Sequence, residues 1–103
     1  MKKLIFITGC QGSGKTYFAR KLMRGHTCVS ISEKNATSKM FDVIDNFEFL
    51  LIDGVSNKTL INNFIKNIKT DFSLIIISNV LKIDDIDFKF FDTVVNVKLV
   101  KIR

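Results

Sequence analysis

Apolar runs alternate along the chain with segments whose apolar residues recur at helical spacing. Three runs are apolar at nearly every position, which predicts strands buried on both faces of a sheet: Leu4–Thr8, Phe49–Ile52 and Ser73–Ile77. Two further segments, 27–32 and 95–100, mix apolar and polar positions in weak alternation. Such segments are typical of strands with one wet side, so we expect both at the edges of the sheet.

The segments between the strands predict helices. The clearest is Asn57–Lys69, where apolar residues form one stripe: Leu60, Ile61, Phe64, Ile65 and Ile68. Lys15–Arg24 predicts a second helix, a short one is predicted around Met40, Phe41, Ile44 and Phe47, and Lys82–Phe91 predicts one helical turn. Because strands alternate with helical connections, we expect an α/β fold: a three-layer sandwich with a five-stranded, mostly parallel sheet.

Length and composition predict one small domain spanning residues 1–103, with no linker. Of the 103 residues, 47% are hydrophobic, enough to bury a core, and no apolar run is long enough to cross a bilayer. One of the two cysteines lies in a glycine-rich loop, which favours a reduced compartment and a cytoplasmic location. The net charge of +6 is scattered along the chain, so it permits nucleic-acid binding without indicating it.

The glycine-rich loop joins the first predicted strand to the first predicted helix. Its sequence, GCQGSGKT, places two glycines five apart before a lysine and a threonine. Glycines let the backbone wrap around a phosphate with its N–H groups pointing inward, and a helix N-terminus adds partial positive charge. We therefore predict that a phosphate-bearing cofactor binds this segment: Gly9, Cys10, Gln11, Gly12, Ser13, Gly14, Lys15, Thr16 and Tyr17. Lys15 would reach the outer phosphates, and the Thr16 hydroxyl would ligate Mg²⁺.

With this loop, the chain resembles the P-loop NTPases. The stretch FLLIDG, residues 49–54, is similar to the Walker B strand of that family, in which a buried strand delivers a carboxylate beside the loop. The resemblance implies a P-loop NTPase fold and a role for Asp53, with Thr16, in holding Mg²⁺. It covers the whole order of strands and helices in the chain.

Within the family, the chain is most similar to the core of the AAA+ ATPases, which implies a strand order of 5-1-4-3-2. Asn79, at the end of a buried strand, matches the sensor 1 position, where an Asn orients water near the terminal phosphate. The sequence also departs from the pattern. Gly54 stands where a catalytic Glu usually follows the Walker B Asp, and Phe90 stands where an arginine finger often precedes Phe-Asp. From the sequence we also expect no separate lid domain. Glu33 is the remaining candidate for an in-chain base.

We therefore predict a minimal AAA+-like ATPase that binds ATP with Mg²⁺ and turns over slowly alone. A protein partner or self-assembly would supply the finger, for which the basic candidates are Lys89, Arg20, Arg24 and Arg103. One alternative is a small nucleotide or small-molecule kinase, because adenylate kinases also have a strand ending in Asp-Gly. Another is a regulator that binds ATP without hydrolysing it. A GTPase is disfavoured, because Leu60 stands where the guanine-reading Asp of an Asn-Lys-x-Asp motif would be.

Overall fold

The computed structural model describes residues 2–37, 39–40 and 46–100. It is an α/β structure with five strands: β1 Lys3–Gly9, β2 Cys28–Ser32, β3 Phe49–Asp53, β4 Ser73–Ser78 and β5 Thr93–Leu99. Two α-helices follow the first and third strands: α1 Lys15–Met23 and α2 Lys58–Lys66. Phe41 and Ile44 of the predicted short helix, and the finger candidate Arg103, lie outside the described residues.

All five strands form one sheet in the order β2-β3-β4-β1-β5. Every neighbouring pair is parallel, which confirms the predicted parallel sheet. The three strands with apolar runs are internal, and the two with mixed patterns are at the edges, as the sequence predicted. Because β1 pairs with β4 on one side and β5 on the other, the strand that leads into the glycine loop is supported on both sides.

Alternate residues of the central strands pack on opposite faces of the sheet. Leu4, Phe6 and their neighbours on β3 and β4 form a core with α2, through Ile61, Phe64 and Ile65. Ile5, Ile7 and the intervening residues of β3 and β4 form a second core with Ala19 and Met23 of α1. One helix therefore covers each face, an arrangement compatible with a three-layer sandwich.

The helices are shorter than their apolar stripes predicted. The α2 helix begins after Asn57, whose side-chain oxygen accepts a hydrogen bond from the Leu60 N–H at 3.1 Å and so caps the first turn. It ends at Lys66, although Ile68 still packs in the same core. The β4–β5 connection contains 3₁₀ turns at Ile83–Asp85 and Phe88–Phe90. No helix within the described ranges has the length and apolar character needed to span a bilayer.

Candidate functional site

The loop between β1 and α1 depends on three glycines with positive φ angles. Gly9, Gly12 and Gly14 have φ values of 151°, 81° and 87°, in the region that side chains disfavour. Gly9 has a packing reason as well, because a Cβ there would lie 2.5 Å from the Leu99 carbonyl oxygen. Gly14 is the residue before α1, so its conformation sets the direction in which the helix leaves the loop. The glycine spacing noted in the sequence is thus required by the backbone.

The Lys15 side chain folds back over its own loop. Its ammonium group donates to the carbonyl oxygens of Gly9 at 2.9 Å and Cys10 at 2.8 Å. Lys15 is only 7% exposed, which is unusual for a lysine that has no carboxylate partner among residues 2–37, 39–40 and 46–100. The two carbonyl oxygens hold the ammonium group beside the loop backbone. A phosphate group bound there could act as the counter-charge of this ammonium.

Thr16 and Asp53 meet across the carboxyl end of the sheet. The Thr16 hydroxyl donates to the Asp53 carboxylate at 2.9 Å, although the two residues are 37 positions apart in the chain. Thr16 lies in the first turn of α1, and Asp53 is the last residue of β3. The structure thus brings together the two residues that the sequence nominated as metal ligands.

The ends of β3 and β4 are joined by hydrogen bonds that fix where Asp53 and Asn79 emerge. The Val55 N–H donates to the Ile77 carbonyl at 2.9 Å, and the buried Ser78 hydroxyl donates back to the Val55 carbonyl at 2.6 Å. The Ser78 oxygen also accepts from the Leu81 N–H at 2.9 Å. Ser78 is therefore a positioning residue that we did not nominate from the sequence, where the signal was a small polar residue ending an apolar run.

These elements enclose a cleft of about 290 Å³ beside the loop. Residues from the loop, α1 and the ends of two strands line it: Gln11, Gly12, Gly14, Lys15, Thr16, Tyr17, Asp53, Gly54, Ile77 and Asn79. The connection after β1 passes to one face of the sheet and the connection after β4 to the other, because α1 packs in one core and Ile86 in the other. A crevice at such a divergence is where open α/β sheets bind ligands.

The side chain of Ser13 adds a polar group without a protein partner. Its hydroxyl oxygen is buried and has no hydrogen-bond partner within the described part of the chain. A buried, unpaired hydroxyl costs free energy unless something else satisfies it. In this loop, a phosphate oxygen is a group of suitable chemistry.

Glu33 lies apart from the cleft. Its carboxylate accepts hydrogen bonds from the backbone N–H groups of Ser56 at 3.0 Å and Asn57 at 2.6 Å, and from the Ser56 hydroxyl at 3.3 Å. It is not among the cleft-lining residues. In this conformation the carboxylate ties the end of β2 to the segment that leads into α2.

The basic finger candidates are on the surface. Arg20 and Arg24, on and just after α1, are exposed, and neither lines the cleft. The Lys89 ammonium lies 3.8 Å from the Asp87 carboxylate and over the Phe90 ring, in the turn that precedes β5. That turn is at the amino end of the parallel sheet, opposite the cleft.

Comparison with known proteins adds no assignment. No protein-family model matches this chain, and a search of curated proteins found no match.

Proposed function

We propose that this chain is a P-loop protein that binds Mg-ATP, with the architecture of a minimal AAA+-like ATPase and slow turnover when alone. The observation that carries the proposal is the Thr16–Asp53 hydrogen bond of 2.9 Å beside the buried Lys15 ammonium. Two motifs nominated separately in the sequence meet in one cleft, and they supply a hydroxyl, a carboxylate and a cation together.

The chemistry of the loop fits a nucleotide phosphate. The first turn of α1, which begins at Lys15, offers backbone N–H groups where the helix dipole favours an anion, whereas the Ser13 N–H is donated to the Cys10 carbonyl oxygen at 3.2 Å. The Ser13 hydroxyl is buried without a protein partner. Lys15 supplies a positive charge. One short segment therefore provides both the hydrogen-bond donors and the cation that a phosphate group needs.

The same cleft fits a magnesium ion held in the manner of nucleotide enzymes. Thr16 and Asp53 would be the protein ligands, and no group of three or more His, Cys, Asp or Glu able to hold a metal occurs in residues 2–37, 39–40 and 46–100. Mg²⁺ in such sites takes one or two protein ligands and completes its shell with phosphate oxygens and water. When bound, the ion neutralises charge on the outer phosphates.

The strand order supports the AAA+-like form of the proposal over the kinase form. Counted from the β5 edge, the sheet runs 5-1-4-3-2, the order expected for AAA+ cores. A nucleotide-kinase order of 2-3-1-4-5 would instead put β1 next to β3, whereas β1 lies between β4 and β5. The sheet therefore gives no support to the kinase alternative.

Slow turnover follows from the groups that line the cleft. Asn79 could orient a water near the terminal phosphate, but the described lining of the cleft includes neither a glutamate nor an arginine. Glu33 is held by Ser56 and Asn57, so we assign it no proton transfer. Since a developing charge needs a positioned donor, we propose that an arginine finger comes from a second protein or a second copy. The same observation favours a second candidate function, a regulator that binds ATP without hydrolysing it.

The direct test is the thermal stability of the protein with and without Mg-ATP. At a nucleotide concentration of about 100 times Kd, binding should stabilise the fold by roughly 2.7 kcal/mol. Lys15→Ala should abolish the rise in Tm, because it removes the cation between the loop and the phosphates. Lys66→Ala, at an exposed position on α2, is the matched control and should keep the rise. An undiminished rise in Lys15→Ala would mean that nucleotide binds elsewhere.

A further inference from the structure

The phosphate cleft is small for a whole nucleotide. Its volume of about 290 Å³ is at the lower end of the range of about 300–1,000 Å³ that is usual for sites holding an entire small ligand. The lining is mostly backbone and polar side chains from the loop and the strand ends. If the phosphates and metal occupy this space, the nucleoside must lie outside it, on a neighbouring surface.

Tyr17 is the aromatic residue at the border of that cleft. It lines the cleft with its neighbours Lys15 and Thr16, yet its side chain is 67% exposed. Tyr17 is in the first turn of α1, and helical side chains lean toward the N-terminus of their helix. That lean directs the ring toward the loop, so a flat, largely uncovered aromatic surface stands next to the proposed phosphate site.

Lys21 provides a second observation at the same ring. Its ammonium lies 5.6 Å from the Tyr17 ring centroid, one helical turn further along α1. The lysine therefore lies over the ring at cation–π distance, and the 67% exposure of Tyr17 leaves ring surface for a further flat group. A nucleobase is such a group, because every base has a π face that can stack on an aromatic side chain.

We infer that the Tyr17 ring is the platform on which the base of the nucleotide stacks while its phosphates occupy the loop. This inference rests on the proposed function and adds to it the placement of the nucleoside. Stacking tolerates any base, so Tyr17 supplies affinity for a nucleoside over a bare polyphosphate and does not itself select adenine.

The test compares two probes, ATP and inorganic triphosphate, each with Mg²⁺, by calorimetric titration of the wild-type protein and two variants. Tyr17→Ala should weaken ATP binding about 5- to 150-fold, the range for loss of one base–aromatic stack, and leave triphosphate binding unchanged. Tyr17→Phe, which keeps the ring, should bind both probes like the wild type. Alanine is a better helix former than tyrosine at this exposed position, so the fold should be kept, and a melting curve without ligand checks that.

The outcomes separate this inference from the proposed function. Equal ATP affinity in Tyr17→Ala and wild type would overturn the inference, because the ring would then make no contact with the base. Equal weakening of ATP and triphosphate would also overturn it, since Tyr17 would then act on the phosphate loop. Binding of neither probe by the wild-type protein would overturn the proposed function itself.

Discussion

The two ends of the sheet each have a carboxylate that links distant parts of the chain, and the two carboxylates differ in how fully the protein satisfies them. At the amino end, the Glu48 carboxylate lies 2.8 Å from His26 Nδ1 and accepts from the Thr27 N–H and hydroxyl at 3.2 and 3.3 Å. At the carboxyl end, the one hydrogen bond that Asp53 accepts from the described residues comes from Thr16. The donors of Glu48 tie two segments of the chain together, whereas Asp53 keeps spare acceptor capacity in a cleft that Lys15 also lines.

Glu33 extends the comparison to the carboxyl end itself. Although it follows β2 at the same end of the sheet as Asp53, it resembles Glu48 in having three protein donors. Position at the carboxyl end of the sheet therefore does not separate the two kinds of carboxylate in this molecule. The number of described donors that each carboxylate already accepts does separate them.

The largest expected effect is on the rate of ATP hydrolysis. Measuring that rate also tests whether Glu33, like Glu48, has only a structural role. Purified protein with saturating Mg-ATP should release phosphate slowly or not at all. An arginine finger typically raises the rate about 10³- to 10⁵-fold, and we expect the chain alone to lack one. Steady-state phosphate release, measured across protein concentrations, is the readout. Brisk turnover that is independent of concentration and lost in both Lys15→Ala and Glu33→Gln would mean that Glu33 acts as a base. Turnover that rises with concentration would instead indicate assembly and a finger in trans, to be sought at Lys89, Arg20 and Arg24.

A smaller effect is expected from Asp53→Asn, which removes the metal-binding charge but keeps the shape of the side chain. At about 100 times Kd, Mg-ATP should stabilise the wild-type fold by roughly 2.7 kcal/mol, and this variant should lose most of the part of that gain that depends on Mg²⁺. Its Tm without ligand should stay close to that of the wild type. Thermal melts with ATP, with and without Mg²⁺, measure both quantities. Glu48→Gln is the reciprocal control. It should have a lower Tm than the wild type without ligand, and nucleotide should raise its Tm by the same amount as in the wild type. If Asp53→Asn retains the full Mg²⁺-dependent stabilisation by ATP, Asp53 is not a metal ligand and the contrast with Glu48 is wrong.

The smallest effect concerns pH. The hydrogen bond to His26, with those from Thr27, lowers the pKa of the Glu48 carboxyl below its usual value of 4.5. A carboxyl group with a lowered folded-state pKa contributes stability that is present above its unfolded pKa and is lost as the pH falls through the folded value. The Tm difference between wild type and Glu48→Gln should therefore shrink as the pH falls below about 4.5. A difference that persists undiminished at pH 3 would show that the charge of Glu48 is not what stabilises the contact.

The parts of the structure that were predictable from the sequence are those determined by local pattern. Continuous apolar runs gave the buried strands, because such a strand must be covered on both faces, and glycines at fixed spacing gave the loop. That Asp53 would lie beside Thr16 was implied by the family resemblance, and the hydrogen bond between them was not predicted. The order of the strands came from the family resemblance, since hydrophobicity alone gives the same edge strands for either order considered.

The contacts of individual polar side chains were not predictable in the same way. Whether Glu33 faces the nucleotide or the backbone of residues 56–57 depends on how a loop after β2 meets a loop after β3, which no local pattern encodes. Ser78 illustrates the same limit, because its hydroxyl connects three segments that are adjacent only after folding. Periodicity reports on burial, whereas hydrogen-bond partners are a property of the assembled tertiary structure.

The central placement of β1 has a consequence for how the molecule is made. Both strands that flank it, β4 and β5, come from the last third of the described chain, so β1 can complete neither pairing while those residues are still being synthesised. Even Gly9 packs against the backbone of Leu99. Contacts between segments so far apart in sequence form slowly, because a long loop of chain must close before they are gained. The nascent glycine loop would therefore gain its rigid support late, once residues up to the end of β5 have left the ribosome.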